Sequence, residues 1–367
     1  MVRPKTRDGN RFKRPGHHTW LLVAGVVAAF CWSILRSSVA MLGGPEVGVE
    51  AALIWPERID GGFLSFISDS PLGLILYKAL GLSSPQSWVL MHLVMTIIVM
   101  WTFVLWIALA GVPGIRAHSS RLVLLAPVTT VMLTGIGSYD PFTLAAMLLV
   151  LFSLFSGSRF VIAISAVALG FQHFEQGLLS LVALTATWVA LKRHLPASIC
   201  RVNPMWALVG LVLGRLILSA VFLMSDVQVS GRPQWISAFL LEWSVSAVGT
   251  APLLFWSLFA GMWAVVLYTW LRLPDLQSRI LLVGAFATGT VGLLLSGDRP
   301  RVFIVILAPS VILLILSYAK MARKNHRSRT LIEILVWIAP PLIFAENVIT
   351  NVNILDVPYT LFLFLVT

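Results

Sequence analysis

Apolar runs follow one another along almost the whole chain, near residues 19–36, 88–110, 121–137, 142–157, 160–172 and 177–191, then 205–225, 246–271, 280–296, 302–319 and 331–345. A helix needs about 20 predominantly apolar residues to cross the hydrocarbon core of a bilayer. Eleven such crossings would use roughly 220 residues of the 367 available. Charge is too scarce for any other solvent. Asp, Glu, Lys and Arg make up 11% of the chain, against about 25% in an ordinary soluble domain. A water-soluble globule is therefore excluded, and 20 Phe with 14 Trp exclude a solvated disordered chain. The expected fold is an all-α polytopic integral membrane protein of about eleven transmembrane helices. The run at 160–172 is short enough to be tilted, broken or merged with its neighbour, and Leu361 to Val366 is too short to cross. No repeat of 20–50 residues is visible, so the chain does not read as a solenoid.

The few charges set an orientation. Arg3, Lys5, Arg7, Arg11, Lys13 and Arg14 precede the first run, which reads as a signal anchor or as a signal peptide ending near Ser38-Val39-Ala40. Both readings leave the N-terminus in the cytoplasm. Alternating from there puts 19 of the 26 basic residues on the cytoplasmic side, including the densest run, Lys320 to Arg329. The organisation is then a basic cytoplasmic segment 1–18, one transmembrane domain 19–345 with a long outer loop at 37–87, and an extracytoplasmic tail 346–367. The net charge of +11 is explained by orientation and by contact with anionic lipid, without nucleic acid. The absence of an Asn-x-Ser/Thr sequon fits a bacterial inner membrane.

The acids sort the other way. Only Asp8, Asp275 and Glu333 fall inside, and 12 of 15 fall outside, although acids contribute little to topology selection. Solvated outer loops need some charge; alternatively, a polar working face lies there. Residues 37–87 form the only long loop, with five acids (Glu46, Glu50, Glu57, Asp60, Asp69) among apolar stretches broken by Gly and Pro. That pattern predicts short helices on the membrane surface, with Trp55 and Tyr77 as interfacial anchors.

Further candidates lie at predicted outer span ends. Asp140, directly before Pro141, reads as a helix N-cap or as a second functional acid. His173 and Glu175 have the spacing of a local polar turn, unlike the i, i+4 pair of a helical metal site. Asp298, Arg299 and Arg301 cluster at a helix start on the side where Arg is disfavoured. They fit a phosphate cradle, or an intraprotein salt bridge with Asp298 or a loop acid. Arg215 lies mid-span, where a charge must face an acid or a polar path. Trp235, Phe239 and Trp243 form a stripe suited to an interfacial helix or a lid, and His92 reads as a hydrogen-bonded core residue. Cys31 and Cys200 are the only cysteines, too few for a disulfide framework or zinc site. No Walker loop, HExxH or GxSxG motif is present.

Four of these segments resemble, in order, motifs of the GT-C superfamily of polyprenyl-phosphate-sugar-dependent membrane glycosyltransferases, such as protein O-mannosyltransferases and the lipid A aminoarabinose transferase. They are Asp69-Ser70-Pro71-Leu72-Gly73-Leu74-Ile75-Leu76-Tyr77, Ser138 to Leu144, Gln172 to Leu178 and Arg301 to Pro309. The chain departs from the family in lacking an adjacent Asp-Glu pair after the first span and a His or second Pro before Leu72. His173 and Glu175 stand in place of a Lys, and Val302 in place of a Tyr. The resemblance implies an inverting sugar transfer from a polyprenyl-phosphate donor to a glycan, lipid or protein acceptor on the extracytoplasmic face. It makes Glu50 or Glu46 the first candidate base, followed by Asp69 and Asp60. Asp140 is then a second acid positioning acceptor or metal, and Arg299, Arg301, Asp298, His173, Glu175 and Arg215 the donor-binding set. Such acids could serve as bases or as ligands of a divalent cation. A lipid-linked glycan polymerase or ligase would need the same face. A transporter or flippase would instead place polar groups near the midplane and show internal repeats.

Overall fold

A computed structural model describes residues 17–37, 45–57, 65–111, 116–134, 136–227, 259–295, 299–339, 343–345 and 348–350, with single positions at 241, 245 and 256. Among these the chain is helical apart from one short hairpin. Five stretches are long and apolar enough to cross a membrane: Pro85–Ala110, Phe174–Leu191, Ala197–Met224, Leu276–Leu294 and Arg301–Lys324. Shorter apolar helices occupy Val23–Ile34, Asp140–Ser156 and Arg159–Gln172.

The first expected run is α1 (His17–Ser37). Between residues 37 and 87 follow α2 (Pro45–Ile54), α3 (Ser65–Ser68) and α4 (Leu72–Ala79). The long α5 (Pro85–Ala110) opens on a capping box, with the Ser84 hydroxyl accepting from the Ser87 amide and Pro85 in the first turn. These helices are packed together. They fold onto the start of α5 around a small apolar core of Val49, Ala51, Ala52, Leu74, Tyr77, Trp88, Met91 and Phe142. Tyr77, expected as an interfacial anchor, is fully buried within the protein: its hydroxyl lies 2.8 Å from Ser84 O and 2.9 Å from Ser87 Oγ, and its ring meets Trp88 edge-on. Trp55 is half-buried, its indole N–H donating to Ser68 O. Lys78 donates to the carbonyls of Leu53 and Trp55, where a cation complements the end of α2.

The run expected at 121–137 is two helices, α6 (Arg116–Leu125) and α7 (Pro127–Thr134). Pro127 has no N–H to give the Val123 carbonyl; that carbonyl instead accepts from the Ala126 amide and the Thr129 hydroxyl, both at 3.1 Å. Next comes α8 (Asp140–Ser153). The short run at 160–172 is broken at Ala166 into α9 (Arg159–Ser165) and α10 (Val167–Gln172). Then come α11 (Phe174–Leu191), α12 (Ala207–Met224), α13 (Trp263–Arg272), α14 (Leu276–Leu294), α15 (Arg299–Met321) and α16 (His326–Ile338). The last expected run, 331–345, is not one helix. It leaves helical geometry at Ala339, ahead of Pro340 and Pro341, because a proline pushes its predecessor toward extended backbone. Beyond it, β1 (Ile343–Ala345) pairs antiparallel with β2 (Val348–Thr350).

The architecture is built around α15, whose apolar window is 100% buried where those of the other four long helices are 28–61% buried. α11 packs along it, and the Ser180 hydroxyl donates to Ile306 O at 2.7 Å, in the region that Pro309 interrupts. α12 is set against α9 and α10 by backbone contact. A Cβ at Gly210 would come 1.6 Å from Ala163 O, and one at Gly214 2.1 Å from Val167 O. This is close packing through small residues, as membrane helices use. The basic N-terminal segment, Asp60 in the outer loop, the aromatic stripe at Trp235, Phe239 and Trp243, and most of the tail 346–367 lie outside the described residues.

Candidate functional site

The segments singled out at residues 69–72, 138–143, 172–175 and 301 come from four different parts of the chain and meet at one end of the bundle. α8 begins at Asp140, with Tyr139 as its cap residue and no side-chain cap bond. The Asp140 carboxylate turns across to α15 and takes a hydrogen bond from Arg301 Nη1 at 2.9 Å. The ion pair is enclosed, with side-chain exposures of 2% for Asp140 and 12% for Arg301. Of the two sequence readings of Asp140, the N-cap is thus replaced by an interhelical pair. Arg301 has found a loop-end acid in Asp140. The Ser138 hydroxyl lies 3.3 Å from Asp140 Oδ2, and the Tyr139 ring lies under the Arg301 guanidinium at 5.5 Å.

The turn between α10 and α11 closes the other side. His173 caps α11, its Nδ1 accepting from the Gln176 amide at 3.5 Å. Its ring packs 5.3 Å from Tyr139. Glu175, more open to solvent, lies 3.5 Å from the same nitrogen. Gln172, fully buried, is the tie that the sequence did not reveal. Its amide nitrogen lies 3.4 Å from Tyr139 O, and its carbonyl accepts from the Leu72 amide at 2.8 Å. That last bond anchors the start of α4, 100 residues earlier in the chain, to the α10–α11 turn. Leu72 opens α4 three residues after Asp69, which is 1% exposed between the buried Ser68 and Ser70. Gly73 on the same turn allows the Phe142 ring to approach, since a Cβ there would sit 2.9 Å from it. His92 is buried, as expected: Nδ1 lies 2.9 Å from Trp88 O and the ring meets Phe142 edge-on.

Other expected members stand apart. Glu46 and Glu50 lie one helical turn from each other on α2, both exposed, while the opposite face of α2 packs through Gly48 against Trp88. Arg215 is half-buried midway along α12, and no hydrogen bond or ion pair joins it to a described residue. Asp298 and the Arg299 side chain lie outside the described residues. Among the described residues no three His, Cys, Asp or Glu side chains gather as a metal-binding group.

The opposite end of the bundle joins groups that the charge pattern also placed on one side. Arg193 lies 3.8 Å from Asp275, Lys320 donates to Leu195 O at 3.4 Å, and Glu333 bonds both His118 and Arg121. In that region partial burial, with Lys320 and Arg193 nearby, pushes the His194 imidazole below its usual pKa of 6.5. No model of a known protein family and no curated protein matches this chain.

Proposed function

We propose that the chain is a membrane glycosyltransferase of GT-C type. It moves a sugar from a polyprenyl-phosphate-linked donor to a glycan, lipid or protein acceptor at the end of the bundle bearing Arg301. The sorting of charge makes that end the extracytoplasmic face of a bacterial inner membrane, with about eleven crossings. One observation carries the reading: the four segments that resemble the family's motifs converge on a single buried polar cluster, tied by Leu72–Gln172, Gln172–Tyr139 and Asp140–Arg301.

The chemistry is one in-line displacement. The acceptor oxygen attacks the anomeric carbon, the bond from that carbon to the phosphate oxygen breaks, and the acceptor proton passes to a carboxylate, so the anomeric configuration inverts. Glu50 and Glu46, exposed on α2, are open to an acceptor; Asp69 is the enclosed alternative. Arg301 supplies the cation that offsets charge gathering on the leaving phosphate. Asp140 is its positioning partner, while Tyr139 and His173 wall the pair. A lipid-linked glycan polymerase or ligase would use the same face.

The test is glycan extension in cells carrying Glu50→Gln, Asp69→Asn or Arg301→Gln. Loss of product with normal membrane levels is expected for Arg301→Gln and for at least one acid. Wild-type product from all three contradicts the reading.

A further inference from the structure

One buried carboxamide bonds to two of the elements that meet its own at the end bearing Arg301. Gln172 is the last residue of α10 and is fully buried. Its Oε1 accepts from the Leu72 amide, in the first turn of α4, at 2.8 Å. Its Nε2 donates to Tyr139 O at 3.4 Å and lies 3.5 Å from Thr143 Oγ1, both at the start of α8. An amide accepts and donates at once, from one plane. An apolar side chain of the same length does neither.

The start of α8 does not depend on this side chain. Tyr139 O already accepts from the Thr143 amide at 3.1 Å and from the Thr143 hydroxyl at 3.2 Å. The start of α4 is different. The first amides of a helix have no partner within it, and the cap residue, Pro71, offers no side-chain hydrogen bond. Gln172 fills that place from 100 positions away. The bond is therefore worth most as a spacer between α4 and α8. Each end of it leads to a charged group. Three residues before Leu72 stands the buried Asp69, in a turn held by Ser70 N to Ile67 O at 3.0 Å and Ile75 N to Pro71 O at 2.8 Å. One residue after Tyr139 stands Asp140, which accepts from Arg301 at 2.9 Å.

We propose that Gln172 is a positioning residue that sets the separation of Asp69 from Arg301. The role rests on the transferase reading, with Asp69 as the carboxylate that takes the acceptor proton while Arg301 offsets charge on the leaving phosphate. Such a displacement needs both groups in register, and a misplacement of about 1 Å can cost roughly 100-fold in rate. Gln172 touches neither reactant and acts through Leu72 and Tyr139.

The experiment compares Gln172→Met with Gln172→Glu in the full-length protein. Methionine fills the space without a hydrogen bond, whereas a protonated carboxyl group keeps an acceptor for Leu72 and a donor for Tyr139. A residue needed only for packing would tolerate the methionine and suffer from the buried acid; a positioning residue gives the reverse order. In purified protein, hydrogen exchange over residues 65–79 should be about tenfold faster in Gln172→Met, the worth of one hydrogen bond. It should be unchanged in Gln172→Glu, and α8 should be unchanged in both. Glycan extension in cells should fall at least about tenfold in Gln172→Met at normal membrane levels and stay near wild type in Gln172→Glu. Gln172→Asn, one methylene too short to reach both partners, takes the place of the methionine variant if that one fails to fold. Unchanged exchange in Gln172→Met overturns the proposal, as does equal loss of extension in the two variants. Extension that is lost on deleting the protein but complete with Gln172→Met overturns this role alone. Extension indifferent to the deletion overturns the transferase reading and this role with it.

Discussion

Asp140 and Arg301 show what one pair of side chains does in a chain with so little charge. Each is nearly enclosed, and each would be costly to leave alone at the rim of an apolar bundle. Asp140→Ala should therefore cost about 3–5 kcal/mol by removing the carboxylate that accepts from the nearly enclosed arginine. Replacing both by apolar residues, Asp140→Leu with Arg301→Met, should recover much of that loss, as read from thermal unfolding of the purified protein in detergent. If the double variant is as unstable as Asp140→Ala, the pair is not the tie described. Sequence reasoning singled out both residues, because an acid before a proline marks a helix start and an arginine on the disfavoured side is anomalous. It could not pair them: 161 positions separate them, and no local spacing records a contact between two helices. Gln172 was passed over for a related reason, since an uncharged amide beside His173 carries no signal until its partners are known. His118 was likewise silent, although Glu333 stood out as one of three acids among the inner basic residues.

Among the elements, the apolar runs located the helices well and their interruptions less well. Ten of the eleven expected runs overlap described helix for most of their length. The break at Pro127 and the end before Pro340 follow from proline chemistry already written in the chain. The break at Ala166 has no such residue. It comes with the close seating of α12 on α9 and α10, a tertiary effect that periodicity does not report. That seating gives the sharpest prediction for an element. Gly210→Leu would drive a side chain into the Ala163 carbonyl and should remove above about 4 kcal/mol of stability, seen as loss of the monodisperse peak in gel filtration. Gly284→Leu is its control, because a Cβ there meets nothing within 4 Å. The first outer loop was read as surface helices. Its Tyr77 also belongs to a small core, because aromatic residues that suit an interface suit a packed cap equally well.

For the whole molecule, the alternation of the chain orders everything else. The segments that alternation places on one side, 69–72, 138–143, 172–175 and 301, are those joined by hydrogen bonds and ring contacts at one end. The segments placed on the other side, 118–121, 193–195, 275, 320 and 333, are joined at the opposite end. The molecule is thus a bundle with two polar ends around one enclosed apolar helix. The proposed transfer occupies the end where the acids collect. The most direct measurement is mass analysis of surface glycans and glycolipids from a strain lacking the protein, complemented with wild type or with Arg301→Gln. The account predicts a species short by the mass of a sugar unit in the deletion strain, restored by wild type and not by the variant. A glycan and glycolipid profile unchanged by the deletion would contradict it.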